Sequence, residues 1–297
     1  MKLATLRDGS RDGQLVVVSR DLAQAHYASG MADGLQQVLD DWNFLAPQLQ
    51  ELYAQLNAGR ARHAFAFDPA HCLAPLPRAY AWVRCDPYAG AAPTAAAWSQ
   101  EAGAPLLAPR AHWAMRGLQE LDFVAGWAAL TGELARACTA EQAGEGVRLL
   151  TLALGLLAPG GQNLLASAFA PVVLTPDELA QSWRAGRLAL GLQVQLNGRS
   201  FGLCDMAAQM PQGLGDWLAA LVQERPLACG ALAGALPVRD ADAGKGYCSI
   251  ADKRAVEAGG EGQARTAWLR AGDVLRVQAR EPGTEAGPFG AIELQIT

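Results

Sequence analysis

The sequence predicts an α+β fold dominated by strands, opening with a small α+β unit over residues 1–75. Three observations carry this expectation. β-rich runs recur from the first residues to the last, whereas apolar residues at helical spacing occupy only a few segments. The strands do not alternate with full crossover helices, which argues against a doubly wound parallel sheet. The clearest period-two pattern alternates Leu190, Leu192, Val194 and Leu196 with Gly191, Gln193 and Gln195, then meets Asn197-Gly198, a pair tolerant of positive φ that turns a hairpin.

The elements follow in order. Lys2–Leu6 and Gln14–Val18 are short β-rich runs joined across Asp8-Gly9 and Asp12-Gly13 turn signals. Leu35, Val38, Leu39, Trp42, Leu45, Leu49, Leu52, Tyr53 and Leu56 fall on one face of a helix, with a kink expected at Pro47 and an end at Asn57 and Gly59. Residues 89–111, rich in Ala, Pro and Gly, read as a loop or weakly structured linker. Residues 121–130 read as a strand. Thr139 and Gln142 form a capping-box pattern for a short helix that Gly144 and Gly146 weaken. Thr175-Pro176-Asp177-Glu178 starts another helix, expected to end at Gly186. Residues 214–222 form a helix with Leu214, Trp217, Leu218 and Leu221 on one face. The C-terminal part reads as strands at Ile250, at 273–279 and at 291–296. There is no internal repeat.

Composition narrows the function classes. The chain has 297 residues, 51% hydrophobic and 18% charged, enough to bury one large core or two smaller ones. The net charge is −5, with no basic stripe and only three lysines (Lys2, Lys245, Lys253), which disfavours nucleic acid as a partner. The longest apolar run, 149–158, is too short to span a membrane, and the N-terminus lacks a signal-peptide pattern. Six scattered cysteines without Cys-x-x-Cys suit a cytoplasmic protein with reduced thiols.

Three stretches carry a resemblance: residues 1–9 (Met-Lys-Leu-Ala-Thr-Leu-Arg-Asp-Gly), residues 74–80 (Ala-Pro-Leu-Pro-Arg-Ala-Tyr) and residues 244–254, which open Gly-Lys-Gly-Tyr-Cys-Ser. Together they resemble bacterial members of the fumarylacetoacetate hydrolase family. The resemblance implies the small N-terminal α+β domain over 1–75, then a mixed β-sandwich roll over 76–297. It also implies a Glu-x-Glu metal pair on the strand at 121–130, where this chain has Val124 and Gly126. The third ligand of the family, the Asp of an Asn-Asp pair, aligns with Gly155, and an Arg shortly after it with Pro159. The substrate-contacting lysine falls at Leu164, ahead of Ala168-Phe169-Ala170-Pro171. A late Gly-Thr pair falls near Leu236-Pro237, and the nearest candidate for the family's catalytic histidine is His112. The segment between Leu154 and Leu164 is also shorter than the family pattern, by about one short helix. The expectation is therefore no catalytic set, no metal ligands and no cofactor, although the family uses Mg or Ca.

Five residues remain as candidates for a substrate pocket: Arg78, Tyr80, Asp122, Lys245 and Tyr247. Alternation puts Asp122 on the face of Val124 and Gly126, as a residual ligand or, preferred, as a hydrogen-bonded residue at the strand start. Lys245 between two glycines suits an anion, but a tight turn is the preferred reading. His63 and His71, with Asp68 and Cys72, match no common zinc spacing. Cys248 lacks a partner histidine, and Trp82, Trp98, Trp113, Trp127 and Trp183 are expected to pack rather than line a pocket. No nucleophile elbow, phosphate loop or His-Glu-x-x-His is present.

The first functional expectation is a family member that has lost its metal site and catalysis and acts as a binding or partner protein, a pseudoenzyme. The alternative is a divergent hydrolase that cleaves or decarboxylates 2,4-dioxo acids such as fumarylacetoacetate or acylpyruvates, chemistry the resemblance connects with aromatic amino acid catabolism. There the metal chelates the dioxo group and a base activates water. The resemblance further implies a homodimer, or pairing with an intact family member.

Overall fold

The computed structural model describes residues 1–90, 92–281 and 287–297. Among these residues, strands dominate and assemble into two principal sheets. The larger has twelve strands. Its main path runs Phe65–Ala66, Gln24–Tyr27, Gln14–Val18, Lys2–Leu6, Val173–Leu174, Val147–Leu157, Asp122–Thr131, Ala231–Ala235, Trp82–Cys85, Trp98–Gln100, and Ala166–Phe169 branches from it to pair with Val147–Leu157 and Leu106–Leu107. The smaller, with five strands, runs Arg199–Asp205, Gly191–Leu196, Val274–Arg280, Ala291–Ile296, Arg110–Trp113.

The Asp122–Thr131 strand lies at the centre of this arrangement, and all ten of its residues are buried. Phe123, Ala125 and Trp127 join the main core with Leu192, Val194, Val277, Ile292 and Leu294 of the five-stranded sheet. On the opposite face Val124, Ala128 and Leu130 join a second core with Leu45, Leu49, Leu52 and Tyr53 of the Trp42–Asn57 helix. A strand covered on both faces reads as a continuous apolar run rather than an alternating one, which is the character of this segment.

Several elements agree closely with the sequence. Lys2–Leu6 and Gln14–Val18 form an antiparallel pair. The hairpin turns at Asn197 (φ 52°) and Gly198 (φ 74°). The box at Thr139 forms, with Thr139 Oγ1 accepting from Gln142 N at 3.2 Å and Gln142 Oε1 from Thr139 N at 3.0 Å. The helix is Ala140–Glu145, and the later one Leu214–Leu221.

Four expectations are corrected. The N-terminal helix breaks at Asp41 (φ −121°, ψ 44°), between Leu35–Asp40 and Trp42–Asn57, rather than at Pro47, which lies inside the second helix. Residue 91 of the expected loop lies outside the described residues; the rest of 89–111 contains the strands Trp98–Gln100 and Leu106–Leu107 and part of Arg110–Trp113, whose partners, Trp82–Cys85, Ala166–Phe169 and Ala291–Ile296, local spacing does not reveal. The segment after Thr175 is 3-10 rather than α-helical, Pro176–Ser182, broken by a kink at Ala180 (φ 42°), and Gly186 instead turns the small hairpin of Trp183–Arg184 and Arg187–Leu188. Ile250 begins a helix, Ile250–Glu261, and not a strand. Ser249 Oγ accepts from Asp252 N at 3.0 Å and caps it, and Gly262 in the left-handed region ends it.

Among the described residues no helix is long and apolar enough to cross a membrane.

Candidate functional site

Three adjacent strands of the large sheet present glycines on one face. Gly155 lies opposite Val124, and Gly234 lies opposite Ala128, with Gly126 between them on the central strand. Each glycine is covered by a bulky side chain from elsewhere in the chain. A Cβ on Gly155 would lie 2.6 Å from Leu164 Cδ2 and 3.1 Å from Val124 Cγ2. On Gly126 it would overlap the Ala235 carbonyl oxygen and come 2.6 Å from Leu236 Cβ. On Gly234 it would overlap the Trp82 ring and come 2.7 Å from Leu236 Cδ2. The glycines are thus a floor that lets Leu164, Leu236 and Trp82 sit directly on the sheet, close-packed as interiors are. All three side chains are buried with Val124 in the second core.

Hydrogen bonds fix this covering layer. Trp82 Nε1 donates to Ser167 Oγ at 2.9 Å, and its ring meets Phe169 edge-on at 5.3 Å. Leu164 is held through its backbone: its N–H donates to Glu101 Oε2 at 2.8 Å, while Glu101 Oε1 accepts from Arg84 Nε at 2.6 Å. Arg84 also donates to the Gln162 carbonyl. The Glu101 carboxylate is therefore buried with its charge paired and both oxygens occupied, the condition under which a buried ion is tolerated. Just outside the layer lies a cleft of about 350 Å³, lined by Tyr80, Trp82, Glu101 and Leu106 among others.

Sequence reasoning missed Glu101 and Arg84. The available signal was slight: Glu101 is the only acid in residues 89–111. Its partner lies on another strand, out of reach of any local pattern.

The five residues expected to line a pocket occupy separate partnerships. Arg78 is an exposed residue paired with Asp12, which lines a cleft together with Asp8 and Asp33. Tyr80 Oη donates to the Ala228 carbonyl at 2.7 Å. Lys245 Nζ reaches Asp240 Oδ2 at 3.0 Å, and its glycines form a tight turn, Ala243–Lys245, with Gly246 at φ 81°. Tyr247 N donates to the Phe201 carbonyl at 3.2 Å. Asp122 accepts from Phe123 N at 2.7 Å, Ile250 N at 2.8 Å and Ala251 N at 3.2 Å, and so holds the first turn of the Ile250–Glu261 helix against the central strand. Burial raises its pKa to about 6, against the opposing pull of those backbone donors.

His71 pairs with Asp68 at 3.4 Å on the surface, and His112 sits on the outer strand Arg110–Trp113. Among the described residues no three His, Cys, Asp or Glu side chains gather as a ligand set.

Residues 1–78 match the model for fumarylacetoacetase N-terminal domain 2. No curated protein sequence matches the chain. Among solved structures, maleylpyruvate hydrolase from Sphingobium sp. SYK-6 superposes with a TM-score of 0.68 at 13% identity, covering 100% of this chain and 99% of that one. The chain has the fumarylacetoacetate hydrolase fold. Fumarylacetoacetate hydrolase from Exiguobacterium antarcticum gives 0.68 at 15% identity, with 100% and 99% coverage. A probable 2-hydroxyhepta-2,4-diene-1,7-dioate isomerase from Mycobacterium abscessus gives 0.69 at 14%, with 100% and 98%.

The positions where the resemblance expects metal ligands, Val124, Gly126 and Gly155, are neighbours: Val124 and Gly155 are cross-strand partners and Gly126 is two residues along from Val124. A hard divalent cation needs clustered anionic oxygens. These residues offer none, and the volume above them is taken by Leu164 and Leu236. The donor set does not fit such an ion. Leu164, where the resemblance expects the family's lysine, is the side chain that fills the space over Gly155.

Proposed function

We propose that this chain is a non-catalytic relative of the fumarylacetoacetate hydrolases, one that retains the fold and works as a binding or partner protein in the cytoplasm. The observation that carries the reading is the apolar layer over the glycine floor: Leu164 on Gly155 and Leu236 on Gly126 occupy the space a metal and its carboxylates would need. Two further features support it. The segment between Leu154 and Leu164 is short, which brings Leu164 down onto the sheet, and the Glu101 carboxylate holds that segment closed through the Leu164 N–H. The proposed assembly is a homodimer, or a pairing with a complete family member.

Metal analysis and activity test this together. Protein purified with Mg²⁺ and Mn²⁺ present is expected to carry neither stoichiometrically after desalting, and to show no metal-dependent turnover of maleylpyruvate or acylpyruvates. Clear Mg²⁺-dependent hydrolysis would overturn the reading. Co-purification with a complete relative would favour pairing, whereas a sharp homodimer would count against an obligate heteromer.

The second reading is a divergent hydrolase of 2,4-dioxo acids. It is favoured by the whole-length likeness to maleylpyruvate hydrolase, which has been crystallised with manganese(II) and pyruvate. On that reading this chain would polarise its substrate with groups other than those at Val124, Gly126 and Gly155.

A further inference from the structure

The large sheet ends at Trp98–Gln100, whose one strand neighbour among the described residues is Trp82–Cys85. Glu101 N donates to Trp82 O at 2.8 Å, so these two residues are a hydrogen-bonded pair across the ladder. Bonded and non-bonded pairs alternate in an antiparallel ladder. Gln100, opposite Val83, is therefore a non-bonded position, and its backbone N–H and C=O face away from the sheet. Among the described residues neither group has a partner, and the exposed Gln100 side chain has none either.

Beside this edge lies a cleft of about 350 Å³ with an apolar floor of Val83, Leu221 and Leu227. Val83 and Trp82 belong to different cores, because successive strand residues point to opposite faces, so this cleft lies on the other side of the sheet from the glycine floor. Its walls are tied down by backbone and side-chain bonds. Leu134 N donates to Leu227 O at 2.8 Å, and Leu227 N to Leu134 O at 3.0 Å. The bond from Tyr80 Oη to the Ala228 carbonyl sets the exposed Tyr80 ring at one side.

The rim carries Glu133 and Arg225, both exposed. They do not pair with each other, and among the described residues neither has a salt bridge or a side-chain hydrogen bond. An anion in this cleft would be drawn to Arg225 and repelled by Glu133, and a cation would meet the reverse. A ligand that carries both charges meets neither penalty.

We propose that this cleft binds a free α-amino acid with an apolar side chain. The Arg225 guanidinium and the Gln100 N–H receive the carboxylate, in charge-assisted hydrogen bonds. The Glu133 carboxylate and the Gln100 C=O receive the ammonium group. The apolar side chain lies on Val83, Leu221 and Leu227 against the Tyr80 ring, an apolar surface with a few convergent polar groups as small-molecule sites have. Metal content and acylpyruvate turnover bear on the glycine floor and leave this site untouched.

Isothermal titration calorimetry on the full chain tests it, comparing L-leucine with isocaproate and isoamylamine, which keep the apolar body and each lack one of the two charges. L-Leucine is expected to bind roughly tenfold more tightly than either, the factor that one charge-assisted hydrogen bond supplies. In Glu133→Ala the advantage of leucine over isocaproate is expected to vanish, and in Arg225→Ala its advantage over isoamylamine. Absence of leucine binding to the wild-type chain, equal binding of the three ligands, or leucine binding unchanged in either variant would overturn the proposal.

Discussion

Asp122 is the residue whose chemistry is most unusual for its setting. It is 1% exposed and bonded to three backbone N–H groups, and its pKa is raised from 3.8 to about 6. A carboxyl group with a raised folded-state pKa contributes stability that is complete below its unfolded value and is lost as pH rises through the folded value. Wild type should therefore gain on Asp122→Asn as pH falls from about 7 to 4, by on the order of 3 kcal/mol, because each tenfold rise in proton affinity on folding is worth roughly 1.4 kcal/mol. Urea unfolding of both proteins at several pH values checks this; a pH-independent difference would count against it. Gly126 offers a second test at this scale. Its Cβ would meet the Ala235 carbonyl oxygen, which belongs to the backbone and cannot swing aside, so Gly126→Ala should cost about 1–3 kcal/mol or more by overpacking. Alternation along the strand is enough to put Asp122, Val124 and Gly126 on one face. The bonds that Asp122 makes to residues 250 and 251 are out of its reach, because they join segments more than a hundred residues apart.

Among the elements, strands bounded by turn chemistry are the most legible. Lys2–Leu6, Gln14–Val18, the Asn197-Gly198 hairpin and Ala291–Ile296 fall where local pattern places them, because their register is set by residues nearby in sequence. The start of the Ile250–Glu261 helix reads as a strand in the sequence, although Ser249-x-x-Asp252 offers a capping signal; its interior is polar and glycine-bearing, so no apolar stripe announces it. Removing that cap with Ser249→Ala should cost about 1 kcal/mol, measurable in thermal unfolding. The segment carrying Leu164 depends instead on a buried ion pair. Glu101→Gln would leave Arg84 without its counter-charge and is expected to destabilise by about 3–5 kcal/mol. Leu164→Ala should cost about 2–5 kcal/mol and open a dry cavity over Gly155, detectable by xenon or benzene binding in a crystal.

For the molecule as a whole, composition and a few motifs suffice to name a strand-rich α+β fold, and the fumarylacetoacetate hydrolase fold bears that out. The site is legible in the sequence only as a set of aligned positions. That Val124, Gly126 and Gly155 would be neighbours follows from the resemblance; that Trp82, Leu164 and Leu236 converge above them does not, since each arrives from a different part of the chain. The double variant Val124→Glu, Gly126→Glu is expected to yield neither stoichiometric metal nor turnover of acylpyruvates. It should also be less stable than wild type, because the second carboxylate has no room. Metal-dependent turnover in that variant would mean that the other positions are misaligned.

The covered glycine floor also bears on how such a chain can change over generations. A side chain at Gly126, Gly155 or Gly234 collides with Leu236, Leu164 or Trp82, and trimming any one of those alone leaves a void. Each single step back toward an open floor is a step downhill in stability, so the route is a ratchet: drift can add to the layer one residue at a time, while reopening it calls for paired changes on distant segments.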